Sequence, residues 1–380
     1  MIADFIRKRV TPLDGQRRWW RPEWLLAAAS VTLLGLALLA AEGLLRVLAP
    51  TYLDERPSVS LDKLHRYSEV YGWELKPGAR QREGDGWISV NNKGFRGQDV
   101  PWTPSGNQRR VVLLGDSITF GTDVGDGNTF ADALSQQPDI EAVNLGVQGY
   151  GLGQSLLKLE REGLAYQPQA VVLNVCLAND FADIMLPAFL YDARHPKPFF
   201  RLSGGRLVRH DQHLRLSWLQ RTGRLLQERS QLYGRVMDSL AREPVPAGPE
   251  SHWTARRSRA LRDERASRAL AVALIARMRA VSEAQGAVFL VALHPDKGAF
   301  KHGSPWADAL LAAPELAGVT MIDMRHEYRA AGLRGRDLML DGIGHLTPDG
   351  HRQAAQVLAR SLRRSPAAEA RRDAPGPPLS

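Results

Sequence analysis

The sequence predicts a three-layer α/β/α fold: a doubly wound, mostly parallel sheet, preceded by one N-terminal transmembrane helix and interrupted by a helical insertion. Three observations predict it. Continuous apolar runs alternate with helical patterns along most of the chain; a serine between glycines closes the first of these runs; and an uncharged stretch of 18 residues, Trp24 to Ala41, follows a basic N-terminus.

The uncharged stretch is rich in leucine and alanine, and as a helix at ~1.5 Å per residue it spans about 27 Å, nearly the hydrocarbon thickness of a bilayer. Trp19, Trp20 and Trp24 cluster at one edge, where indole rings favour the headgroup region, and Arg7, Lys8, Arg9, Arg17, Arg18 and Arg21 all precede it. Positive residues stay in the cytoplasm. Residues 1–23 are therefore expected to be cytoplasmic, 24–48 to form a signal anchor in the inner membrane, and the remainder to be periplasmic or otherwise extracytoplasmic. Leu39-Ala40-Ala41 offers the small residues a signal peptidase accepts, but the run exceeds the ~7 to 15 residues of a cleaved signal and favours a retained anchor.

Residues 55–104 are rich in glycine, proline and asparagine and read as an irregular or β-hairpin lead-in. Across 105–363, strand-like runs recur at Val111 to Leu114, Ala142 to Leu145, Ala170 to Val175, Ala287 to Leu293 and Val319 to Ile322. Helical patterns separate them at Thr129 to Gln137, Gly153 to Leu164, Ala260 to Ala284 and Pro348 to Arg363. Strands apolar on both faces, alternating with helices, call for a parallel sheet covered on both sides. Between about 187 and 253 the rhythm breaks. A leucine- and arginine-rich helical stretch around Leu214 to Leu240 and the linker Pro244-Val245-Pro246-Ala247-Gly248-Pro249 read as an insertion, which either forms a lid or substrate wall or merely covers a sheet edge. Residues 364–380 are alanine, proline and charge, and are expected to be disordered.

The formal charge of +9 is spread over arginines among leucines and glutamines, as on solvated helix faces; no zinc or helix-turn-helix signature accompanies it, which argues against a nucleic-acid partner. A single cysteine excludes an internal disulfide. Cys176 has no basic sequence neighbour to lower its pKa and reads as a buried small hydrophobe.

The chemistry gathers at Gly115-Asp116-Ser117-Ile118-Thr119-Phe120-Gly121. A hydroxyl at the carboxyl end of a strand faces the crevice where α/β sheets bind ligands, although Ser117 alone reads equally well as a helix N-cap. This heptapeptide resembles the first block of the GDSL, or SGNH, hydrolases. Asn144-Leu145-Gly146-Val147-Gln148-Gly149-Tyr150-Gly151, Leu177-Ala178-Asn179-Asp180 and Asp341-Gly342-Ile343-Gly344-His345 resemble the later blocks, in order. Tyr71-Gly72-Trp73 and Asn91 to Gly97 resemble the lead-in of membrane-anchored bacterial members. Leu177 stands where the family has glycine, and three residues rather than two separate Asp341 from His345.

The resemblance implies the flavodoxin-like SGNH hydrolase fold, a catalytic Ser117, His345 and Asp341, and an oxyanion hole of the Ser117 and Gly149 backbone amides with the Asn179 side chain. Thr347-Pro348 reads as an N-cap and first helical residue that pin the His345 loop. His351 is the rival base, read as lying behind the reacting groups or on the surface; Asp349 reads as a first-turn carboxylate favouring the helix dipole, and Asp116 as structural. The remaining histidines lack metal-ligand spacing, so neither metal nor cofactor is expected. The expected activity is hydrolysis of small acyl, including acetyl, esters at the cell envelope, with a small ester or acylated glycan as substrate. Acyl transfer to an envelope polysaccharide by the same residues, and a catalytically degenerate glycan-binding or scaffolding module, are the alternatives.

Overall fold

Each apolar run named above becomes a strand of one sheet in the computed structural model, which describes residues 22–49, 63–83, 86–104, 106–193, 195–240 and 253–365. The basic segment 1–21, the proline-rich linker 244–249 and the tail beyond 365 lie outside the described residues, as do the first residues of the lead-in.

The chain forms two compact units. The smaller contains helix α1 (Pro22–Leu48) with two helices of the insertion. The larger begins with two antiparallel hairpins, β1 (His65–Ser68) with β2 (Gly72–Leu75) and β3 (Arg80–Glu83) with β4 (Gly86–Ser89). Strand β5 (Arg109–Leu114) then leads into the single-turn helix α2 (Ser117–Phe120), followed by α3 (Phe130–Ser135), β6 (Ile140–Asn144), α4 (Leu152–Lys158) and β7 (Ala170–Cys176). After the insertion come α7 (Glu264–Glu283), β10 (Val288–His294), β11 (Thr320–Asp323) and α8 (Pro348–Arg364).

The sheet runs β11-β10-β7-β5-β6 and every pairing in it is parallel. Because side chains alternate across a strand, Val112, Leu114, Val171 and Leu173 enter one core with Leu270, Leu274 and Met278 of α7, while Val111, Leu113, Ala170 and Val172 enter a second with Leu134 of α3 and Leu358 of α8. Both faces are thus covered, as the expected fold class requires. The order reverses between β5 and β7, and such a switch point opens a crevice at the carboxyl ends of those two strands.

The helix starts follow local chemistry. Thr129 and Asp132 form a capping box at α3, and the Thr347 hydroxyl accepts from the Gly350 amide with Pro348 at the first helical position of α8.

The insertion is not wholly helical. It opens with an antiparallel hairpin, β8 (Phe199–Ser203) and β9 (Arg206–His210), closed by Gly204-Gly205 at φ 56° and 75°. Two consecutive left-handed residues give the turn whose twist suits a two-residue hairpin, and Gly-Gly between alternating residues is its sequence signal. Helices α5 (Trp218–Arg229) and α6 (Gln231–Leu240) follow, and these belong to the smaller unit.

Candidate active site

The turn after β5 is built around glycine and a buried carboxylate. Gly115 has φ 149°, and a Cβ there would lie 2.3 Å from the Thr119 hydroxyl and 2.8 Å from the Asn174 carbonyl oxygen, so only glycine fits. Asp116, not Ser117, is the N-cap: its Oδ1 accepts from the Ile118 amide at 3.0 Å, leaving the Ser117 hydroxyl free of that duty. Asn144 braces the turn from β6, donating to the Thr119 carbonyl at 2.8 Å and accepting from the Gly146 amide at 3.0 Å.

Ser117 Oγ lies 2.9 Å from His345 Nε2 across 228 positions of sequence. The His345 loop is fixed from several directions. Its carbonyl accepts from the Leu340 amide at 2.7 Å, and Gly344 at φ 107° packs where a Cβ would come 2.7 Å from the Pro295 carbonyl. Asp341 has two tasks. Its Oδ1 accepts from the amides of Ile343, Gly344 and His345 at 3.0, 2.9 and 3.1 Å, while its Oδ2 lies 2.8 Å from His345 Nδ1. The extra residue between Asp341 and His345 is thereby absorbed in a turn wrapped around one carboxylate oxygen.

A second carboxylate reaches the same nitrogen. Asp123 Oδ2 is 3.2 Å from His345 Nδ1, and Asp123 holds φ 68°, which a non-glycine residue adopts only at a cost of order 1–3 kcal/mol. Neither Oδ2 lies along the ring N–H direction: Nδ1 is buried without a well-aligned acceptor, although both oxygens are within ion-pair distance. No motif pointed to Asp123. The sequence signal was faint, an aspartate just past the serine turn in Gly121-Thr122-Asp123-Val124-Gly125. The lead-in fixes this loop: the buried Arg96 guanidinium donates to the Val124 carbonyl at 2.9 Å and pairs with Asp126 at 3.2 Å, and the Ser89 amide donates to Asp126 at 3.0 Å.

Gly149 sits in the turn after β6 with φ 74°, its Cα against the Phe189 ring, where a Cβ would come within 2.5 Å. The hairpin of β1 and β2 supports it, since the Trp73 indole donates to the Gln148 carbonyl at 2.9 Å and the Tyr150 hydroxyl donates to the Trp73 carbonyl at 2.7 Å. Asn179 follows β7 and is 7 % exposed; its Nδ2 donates to Asp116 Oδ2 at 3.3 Å, leaving one amide hydrogen for another acceptor. The short helix Asp180–Asp183 after it is tied down by Asp180, which accepts from the Cys176 amide at 2.8 Å, and by a buried ion pair between Asp183 and Lys197. Burial pushes the carboxyls of both Asp116 and Asp180 above the usual carboxylate range.

The neighbouring candidates fall elsewhere. His351 is buried, not on the surface; its Nδ1 accepts from the Phe130 amide at 3.1 Å, and burial lowers its pKa to about 3, so it is neutral at physiological pH. Asp349 is exposed in the first turn of α8. Cys176 is buried, and burial pushes its thiol well above the ordinary range. Leu177, in the place of the family's glycine, is 4 % exposed in the core and donates its amide to the His294 carbonyl. Among the described residues, the donor atoms of Asp123, Asp341 and His345 converge within 4.8 Å, close enough to hold a cation, but one bound there would occupy the nitrogen that faces the carboxylates.

Residues 111–203 match the GDSL-like Lipase/Acylhydrolase family. No curated protein matches the chain. Among solved structures, a lipase/acylhydrolase from Enterococcus faecalis is similar at 14 % identity and TM-score 0.37, the match covering 67 % of this chain and 96 % of that one. A catalytic mutant of an acetylxylan esterase from Geobacillus stearothermophilus is similar at 11 % identity and TM-score 0.37, covering 68 % and 95 %.

Proposed function

We propose that this chain, an ester hydrolase with a domain of the GDSL, or SGNH, acylhydrolase family, cleaves small acyl esters at the cell envelope by nucleophilic catalysis from Ser117. The observation that carries the mechanism is the 2.9 Å contact between Ser117 Oγ and His345 Nε2, with carboxylates on the far side of the ring. A serine hydroxyl is hardly ionised at neutral pH and needs a base within hydrogen-bond reach. His345 Nε2 takes the proton as Oγ attacks the ester carbonyl. The imidazolium that forms is stabilised through Nδ1 by Asp341 and, 0.4 Å farther away, by Asp123. Negative charge growing on the carbonyl oxygen is met by the backbone amides of Ser117 and Gly149 and by the second Nδ2 hydrogen of Asn179, whose side chain Asp116 orients. Collapse expels the alcohol, protonated by His345, and water attacks the acyl-enzyme by the same path in reverse.

The envelope assignment rests on α1. Over Glu23–Leu48 the helix is apolar enough to cross a bilayer and none of its most apolar window is buried in the protein, while six cationic residues precede it. It also runs without a break through Leu39-Ala40-Ala41, which favours an anchor over a cleaved signal. Residues beyond Leu48 are then extracytoplasmic.

Giving the detergent-solubilised full chain an activated acetyl ester, with and without acetyl-accepting glycans, tests the reading. Free acetate in equal yield under both conditions is the expected result; acetate lost in step with acetylated glycan would make the enzyme a transferase.

A further inference from the structure

We propose that the hairpin of α5 and α6 lies on the membrane surface, inserting an apolar stripe among anionic phospholipids beside the point where α1 leaves the bilayer. The proposal rests on the reading of α1 as an anchor and adds a second, peripheral contact with the same membrane.

The first observation is where the hairpin is fastened. The uncharged run of α1 ends at Ala41, and Glu42 next to it is bound to the α5–α6 corner. Its carboxylate accepts from the Ser230 hydroxyl at 2.9 Å and from the Gln231 and Leu232 amides at 3.0 and 2.9 Å, the unpaired donors at the N-terminus of α6, where a negative charge is favoured. Arg46 holds Glu42 at 2.8 Å and donates to the Arg229 carbonyl at 2.7 Å, and the Gln231 side chain donates to the Ala49 carbonyl at 2.8 Å. Seven positions at ~1.5 Å each separate Glu42 from Ala49, so the corner is clamped over about 10 Å that begins at the edge of the hydrocarbon and takes in the headgroup layer.

The second observation is what the hairpin leaves uncovered. Trp218 and Leu225, like Leu219 and Leu226, stand seven residues or two helical turns apart on one helix face, and all four are exposed, Trp218 at 73 % and Leu219 at 63 %. This face is not turned toward α6, which approaches α5 at Gly223, where a Cβ would stand 3.2 Å from the Tyr233 hydroxyl. On α6, Val236 and Leu240 are exposed as well, at 49 % and 68 %. The same two helices carry Arg221, Arg224, Arg229 and Arg235. An exposed leucine stripe with a tryptophan at its start, arginines on the same helices, and a fixed position at the end of a membrane span together describe an interfacial helix matched to anionic lipid.

The test uses the full chain reconstituted into vesicles of phosphatidylcholine and phosphatidylglycerol. The single native cysteine is 1 % exposed, so an environment-sensitive fluorophore can be placed by the single substitutions Leu219→Cys, Leu226→Cys, Gln220→Cys and Leu36→Cys. Gln220 lies on the opposite face of α5 and Leu36 within the span. Labels at 219 and 226 are expected to shift to the blue and to be quenched several-fold more by lipids brominated high on the acyl chain than the label at 220, which iodide in water quenches instead. Labels at 219 and 226 as open to iodide as that at 220 would overturn the proposal. In that event the Leu36 label separates the two readings: quenched by lipid, it leaves the anchor standing and removes only the interfacial hairpin; open to iodide, it removes both.

Discussion

Asp341→Asn, Asp123→Asn and their combination should not behave as independent substitutions. Both carboxylates address His345 Nδ1, at 2.8 and 3.2 Å, and Coulomb attraction falls as the inverse of distance, so at equal screening the farther one retains roughly nine tenths of the nearer one's hold on the imidazolium. Both are partly exposed, 35 % for Asp341 and 45 % for Asp123, so solvent weakens them to a similar degree. Where a single aspartate orients the histidine, its replacement by asparagine costs about 10⁴ in turnover. Here Asp123 remains when Asp341 is changed, and we expect kcat to fall by about 10² for Asp341→Asn and about 10-fold for Asp123→Asn, with about 10⁴ for the pair. The product of the single losses is about 10³, so the double variant should fall short by a further tenfold, a coupling of ~1.4 kcal/mol. Steady-state turnover of an activated acetyl ester by the four proteins, with thermal melting to verify that asparagine preserves the turn around residue 341, closes the cycle. Parental rates for Asp123→Asn in both backgrounds would make Asp123 a bystander and refute the reasoning.

Asn179→Ala should lower kcat by about 10² to 10³ with little change in melting temperature, because in the proposed mechanism it removes one oxyanion donor and leaves the core intact; an unchanged kcat would take Asn179 out of the proposed oxyanion hole. Asp116→Asn should show a smaller loss in the same assay, since it keeps an acceptor for the Ile118 amide but weakens the hold on Asn179. Acid should destabilise the fold through His351. Burial holds its folded pKa near 3, below the ~6.5 of the unfolded chain, so the unfolded state takes up the proton first and stability falls as pH drops below about 6.5. From pH 6.5 to pH 5 this amounts to ~2 kcal/mol, and urea unfolding of His351→Gln should show that much less acid sensitivity than the parent. Equal slopes would show that His351 is protonated as readily folded as unfolded. EDTA should leave turnover unchanged, whereas zinc held by Asp123, Asp341 and His345 should inhibit it by occupying Nδ1; loss of activity on chelation would give that cluster a resident metal.

The sheet was legible because its strands are apolar on both faces: Val111, Val171 and Leu290 announce burial wherever they are read. Helix starts were legible where a cap made them so, as at Thr129 and Thr347. The β8–β9 hairpin escaped a reading tuned to leucine and arginine spacing, although Gly204-Gly205 marked its turn. At the site, the resemblance of four ordered blocks to the GDSL hydrolases was enough to nominate Ser117, Gly149, Asn179, Asp341 and His345. It was not enough for Asp123. That residue reaches His345 through a left-handed backbone conformation held by Arg96 from the lead-in, a contact between loops that no periodicity encodes. The role of Asp116 as the N-cap, in place of Ser117, likewise depends on which oxygen meets which amide.

The central claim is that Ser117 is a nucleophile activated by His345, and active-site titration measures it most directly. Incubation of the full chain with a fluorophosphonate should add one phosphonyl group per molecule, on the tryptic peptide containing Ser117, and both Ser117→Ala and His345→Ala should abolish rapid labelling. Equal labelling of parent and Ser117→Ala, or labelling that maps to another peptide, would contradict the account.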